Sequence, residues 1–200
     1  RGGMAGGGKG YAAGREEAMG GVDGGARGDA RGGAGFERVV GGVREEDLDA
    51  ERGAIASEAL KAFDASTGGV VSAMMAESEF KAKAGSSAFS RARGGSATHV
   101  GVVGLGKGDE AAKTSTLTQL GSVAAAQAQK AKCKTLGIKG ADANPNAFAA
   151  GAYLGATEDQ RFKSKPQSKT LASVSLPDVT ADVSAGKARA LGVQMTKEVV

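Results

Sequence analysis

The 200-residue chain holds one cysteine, one histidine, three prolines and no tryptophan. Cys133 has no second thiol to pair with, so a disulfide scaffold is excluded. Cys133 and His99 together cannot complete a His/Cys zinc site. No window approaches about 18 consecutive apolar residues, which removes a membrane-spanning helix. Large apolar side chains are scarce as well. Leu 10, Ile 2, Val 16 and Phe 6 make 34 positions of 200, or 17%. That lies under the roughly 20% below which disorder is expected, but disorder also needs high net charge. Here 26 cations face 22 anions, for a net +4. So mild an excess does not by itself point to nucleic acid. The lack of disulfides suits a reducing compartment.

What the chain has in quantity is small residues: 34 Gly and 39 Ala, together 73 of 200. They are unevenly spread. Residues 1–35 contain 15 glycines, and their only sizeable apolar side chains are Met4, Tyr11, Met19 and Val22. Such a stretch cannot bury enough surface to offset backbone ordering at roughly 1–2 kcal/mol per residue. It lacks the apolar core of a secretory signal, and it is too acidic and too poor in serine for an ordinary transit peptide. It reads as a low-complexity Gly/Arg-rich leader, expected to be disordered. A start at Arg1 reads as a fragment or a processed product.

From Phe36 on, strand and helix signals alternate. Val39–Val43 is a short apolar run of strand length, and Glu45-Glu46-Asp47 a polar turn. Ile55, Ala59, Leu60 and Phe63 fall at helical spacing, and a second helical piece carries Val70, Val71, Met74 and Met75. Ser87–Arg93 is a partly alternating strand candidate, with Arg93–Ser96 as a turn. Thr98–Leu105 is the strongest buried-strand signal. Leu117, Leu120, Val123, Ala124 and Ala128 mark one face of a helix reaching about Lys132. Then come a strand at Thr135–Ile138, a helix at Asn146–Thr157, a strand at Thr170–Leu176 and a last helix from about Ala181. Strands separated by helices of this length predict an α/β layered fold.

The candidate chemistry is thin. Gly101-Val-Val-Gly104-Leu-Gly106-Lys107-Gly108 approaches a phosphate-binding loop, but Gly108 stands where a Ser or Thr should meet magnesium. A tight strand-to-helix turn is the favoured reading. Backbone amides of Gly104, Gly106, Lys107 and Gly108 cradling a phosphate is the sharper one. Asp109 and Glu110 suit a helix N-terminus. His99 begins a strand with no Ser/His/Asp constellation around it. Cys133 lies between Lys132 and Lys134, which could depress its pKa; a half-buried helix-end thiol is the plainer reading. Arg-Gly-Gly recurs at Arg1, Arg31 and Arg93, without the interleaved aromatics that RNA binding favours. Lys163–Lys169 reads as a basic, solvated connection. No catalytic cluster emerges from the residues.

Several segments taken in series resemble one family. They are Ala65-Ser-Thr-Gly68-Gly69-Val-Val-Ser, Glu79-Phe80-Lys81-Ala-Lys83-Ala-Gly85, and His99-Val-Gly-Val-Val-Gly104-Leu105-Gly106-Lys107. Further on come Gly151-Ala-Tyr-Leu-Gly155, Glu158-Asp-Gln-Arg161-Phe162-Lys163-Ser164-Lys165 and Gly192-Val-Gln-Met-Thr-Lys197-Glu198-Val-Val. In this order and spacing they resemble the N-terminal domain of leucine (cytosol) aminopeptidases, plant-type members especially. The resemblance covers residues 36–200.

It implies a macro-domain-like mixed sheet flanked by helices over 36–180. Residues 181–200 would then begin the helix that links to a catalytic domain. In the family that second domain hydrolyses peptides with two divalent metals (zinc, manganese or magnesium), and nothing here matches its metal-ligand motifs. No catalytic or metal residue is therefore carried over, and the chain alone is expected to be inactive. The implied partners are its own catalytic domain, a homo-hexamer and the parent's peptide substrates. No membrane is expected, and DNA binding, seen in some bacterial members, is not singled out by these residues. The implied location is cytoplasmic, with a plastid as the alternative. The competing function is a free-standing macro-like module binding a phosphate-bearing ligand such as ADP-ribose; RNA binding through the leader is a third reading. The family's first strand should precede Phe36, where the leader stands. Its loss would leave an unpaired sheet edge.

Overall fold

The structure is a computed structural model that describes residues 22–23, 36–49, 54–92, 97–140, 143–157 and 170–199. A six-stranded sheet runs in the order β1-β6-β5-β2-β4-β3. Its centre is β2 (Arg38–Arg44) between β4 (His99–Gly106) and β5 (Thr135–Lys139), all parallel. β6 (Ser173–Ser175) extends the sheet beyond β5, and β1 (Val22–Asp23) pairs parallel with β6. β3 (Ser87–Arg91) closes the other edge, antiparallel to β4. The expected mixed α/β sheet is thus present. Of the leader, only the two residues of β1 lie among those described.

The central strands are apolar on both faces, as strands covered by helices on each side must be. On one face Val40, Val103, Leu105, Leu136 and Ile138 pack under α4 (Thr114–Lys130) and α5 (Pro145–Ala156). On the other, Val39, Val43, Val100 and Val102 meet α1 (Glu58–Ser66) and α2 (Val70–Glu77). The one-turn α3 (Asp109–Ala112) precedes α4, and α6 (Ser184–Val199) lies against α5.

The abundance of small residues finds its use where α4 crosses α5. A Cβ on Gly151 would sit 1.9 Å from the Thr118 carbonyl oxygen, and one on Gly121 2.3 Å from that of Phe148. A Cβ on Gly155 would come just as close to the Ser122 carbonyl oxygen, at 2.2 Å. Backbones this near leave room for little beyond alanine, and Ala124, Ala125, Ala128, Ala149 and Ala152 fill the seam, each fully buried. Close packing thereby replaces side-chain bulk. Gln129, at the end of α4, ties the neighbouring elements together. Its Oε1 accepts from the Thr170 and Leu171 amides at 3.1 and 3.2 Å, and its Nε2 donates to the Ala156 carbonyl at 3.0 Å.

Three element boundaries depart from the sequence reading. The first helix starts at Glu58 rather than near Ile55, because Ser57 Oγ accepts the Leu60 amide and caps it there. Ile55 instead forms an isolated antiparallel bridge with Leu48. The last helix starts at Ser184, after Asp182 has taken both the amide and the hydroxyl of Ser184. β6 is confined to three residues of the predicted seven. The Arg93–Ser96 turn and the Lys163–Lys169 connection lie outside the described residues.

Candidate functional site

Two places gather the residues that the sequence singled out, one at each end of β4. At its carboxyl end is the glycine-rich turn. Gly104 lies inside the strand, and a Cβ there would fall 2.2 Å from the Lys83 carbonyl oxygen. Its amide donates to the Ser86 carbonyl at 2.7 Å, and that of Gly106 donates to Ala82 at 2.9 Å. Gly106 and Gly108 have φ of +81° and +45°, the left-handed region that glycine adopts most readily. Gly108 donates its amide to Glu46 Oε1 at 2.5 Å, which holds the Glu46 carboxyl below its ordinary range. Lys107 Nζ stands 3.6 Å from the Glu45 carboxylate. The glycines thus serve a close strand-to-loop approach and a tight turn. An anion seated on the Gly108 amide would have to displace Glu46. Glu45 and Glu46 carried no such signal in the sequence, where they read as a polar turn.

At the amino end, parallel pairing sets Arg38 of β2 beside His99 of β4 and Leu136 of β5. Arg38 is 4% exposed, and its Nε and Nη1 have no hydrogen-bond acceptor. Its guanidinium carbon stands 5.3 Å from the centre of the Phe89 ring, which itself lies across Gly101. Burial lowers the arginine's pKa, and neighbouring Cys133 opposes that shift.

Cys133 follows α4 and is fully buried, so the half-buried expectation is corrected. Burial pushes its thiol up; Arg38, through charge and a side-chain hydrogen bond, pulls the other way. The flanking lysines that suggested a depressed value are not what acts on it. His99 Nδ1 lies 3.6 Å from Cys133 Sγ and 3.1 Å from Thr98 Oγ1. Its pKa is lowered, first by burial and then by the charges of Arg38 and Arg91, with Glu37 opposing. The sequence reading singled out His99 and Cys133 separately. It passed over Arg38, since strand pairing across 61 residues is what sets it beside His99.

The metals that the family resemblance implies need a set of carboxylate, imidazole or thiolate ligands. Among the described residues no three His, Cys, Asp or Glu side chains come together. The donor set does not fit a two-metal centre, and no hydrolytic step is derived from it. No helix among the described residues is long and apolar enough to cross a membrane.

A mixed sheet, parallel but for one edge strand and covered on both faces, defines an α/β domain. Residues 39–166 match the model of the cytosol aminopeptidase family, N-terminal domain, and the chain belongs to that family. It is 29% identical to leucine aminopeptidase 3, chloroplastic, of Arabidopsis thaliana, over 80% of this chain and 30% of that protein. It is 38% identical to a probable cytosol aminopeptidase of Nostoc punctiforme, over 55% of this chain and 24% of that one. A solved tomato leucine aminopeptidase variant has the same fold, with a TM-score of 0.67 at 23% identity. The match covers 86% of this chain and 35% of that chain. The chain thus spans about a quarter to a third of the length of the relatives it matches.

Proposed function

We propose that this chain is the non-catalytic N-terminal domain of a leucine-aminopeptidase-like metallopeptidase, whose hydrolytic work belongs to a second domain. The observation that carries this reading is the coverage. The matches take in 80% and 55% of this chain yet only 30% and 24% of the two relatives, and the family model that fits is that of an N-terminal domain. The domain proper is residues 36–180, and residues 181–200 begin the connection to the catalytic domain. On α6, Leu191, Val193 and Met195 are 44%, 36% and 68% exposed, the large apolar side chains that a following domain would cover.

The parent would remove N-terminal residues from peptides with two divalent metals held by that second domain, as a homo-hexamer. Its location would be a plastid or the cytoplasm; relatives are named chloroplastic in Arabidopsis thaliana and tomato. The direct test supplies the folded chain with a leucine anilide substrate and zinc, manganese or magnesium. No turnover is expected. Metal-dependent release of the anilide by this chain would overturn the reading.

A further inference from the structure

An open sheet has two edges, and here they are finished differently. At one edge β1 lies along β6. At the other, β3 pairs with β4 on one side only. Just before β3 the Gly104 amide donates to the Ser86 carbonyl at 2.7 Å, and just after it the Ala92 amide donates to the Thr98 carbonyl at 3.0 Å. The pairing keeps step in between, with Ala88 against Val102 and Ser90 against Val100. In an antiparallel ladder alternate residues turn their backbone groups to the same side, so Ser86, Ala88, Ser90 and Ala92 face β4. Ser87, Phe89 and Arg91 therefore present their N–H and C=O groups outward. Among the described residues, the one contact these groups make is Ser90 Oγ on the Arg91 carbonyl, at 3.4 Å.

Exposed edges are normally spoiled for pairing by proline, a bulge or a charge within the strand. β3 has no such guard. It reads Ser-Ala-Phe-Ser-Arg, its register with β4 runs unbroken, and its one charge stands at the end. Phe89 in the middle is well held, with its ring across Gly101 and the Arg38 guanidinium carbon 5.3 Å from its centre.

We propose that the β3 edge is a self-association surface, through which two copies of this chain join their sheets into one. A closed two-fold dimer sets the two β3 strands antiparallel. Centred on Phe89, the register places Phe89 beside its equivalent and Ser87 of each copy opposite Arg91 of the other. Every outward N–H then meets a carbonyl. Sliding by two residues either way leaves Ser87 or Arg91 of each copy unpaired. The centred register also keeps the two Arg91 side chains at opposite ends, where like charges do not meet, and sets two aromatic rings side by side.

Sedimentation equilibrium of the 200-residue chain tests this. The average mass should climb from 19.7 kDa towards twice that value as concentration rises. Ser87→Glu sets a carboxylate opposite Arg91 of the other copy, twice per dimer, and should tighten association by roughly two- to thirtyfold. Ser87→Arg sets like charges there and should loosen it by a similar factor. Adding Arg91→Glu to Ser87→Arg should return association to the parent strength or better. Within one copy residues 87 and 91 lie roughly 13 Å apart along the strand, too far to pair, so these shifts require the second copy. Ser87 is exposed, so its variants keep the fold, which circular dichroism would verify. A chain of monomer mass at every concentration would overturn the assignment. So would a dimer whose strength ignores the charge at residue 87, including one dissolved instead by Met195→Ser on α6.

Discussion

His99 is the chain's one histidine, so between about pH 5.5 and 7.5 it is the side chain whose ordinary titration falls in range. Burial and the charges of Arg38 and Arg91 lower its pKa in the fold. The unfolded chain therefore binds the proton more readily. Stability from this group is full above the ordinary histidine value and is lost as pH falls below it. Urea midpoints should drop on going from about pH 7.5 to 5.5, and His99→Asn should flatten that drop. An equal drop in the variant would place the acid sensitivity elsewhere. At this scale the sequence was least legible. His99 stood out only as a polar strand start, and nothing in its neighbours announced Arg38 as a companion. Their meeting depends on β2 and β4 lying side by side, a long-range pairing that local pattern does not encode.

Helices and strands were far more legible, because their signals are local. The apolar runs at Val39–Val43 and Thr98–Leu105 became the two central strands, and the Leu117/Leu120/Ala124/Ala128 stripe became the buried face of α4. Boundaries slipped where a single capping side chain decides them, as Ser57 does for α1. Glycine required a second reading. In the stretch Gly101–Gly108 it resembled a phosphate loop, whereas the structure uses Gly104 for contact with the 82–86 segment. The Gly151–Gly155 pair, which in the sequence stands out only within a family motif, proves to be the contact between α4 and α5. Gly151→Ala should therefore destabilise the fold by about 1–3 kcal/mol or more, since its Cβ meets a backbone carbonyl that cannot swing aside. Denaturant unfolding would measure it. A neutral result, as expected for an alanine in an open helix, would mean that the two helices are less closely packed than described.

For the whole molecule, a composition so low in large aliphatics could have meant an unfolded chain. It folds because alanine and glycine let two helices approach to backbone contact over one face of the sheet, while valine-rich strands fill the layer beneath. Among the described residues no group of metal-ligating side chains comes together, and the family match lies wholly within a domain that forms a fraction of each relative. The account therefore rests on a second domain in the native protein. Intact mass of the endogenous product, or a transcript read past Val200, tests this most directly. The account predicts a longer polypeptide with a metal-binding domain joined after α6. A native product ending near Val200, with no such domain, would contradict it.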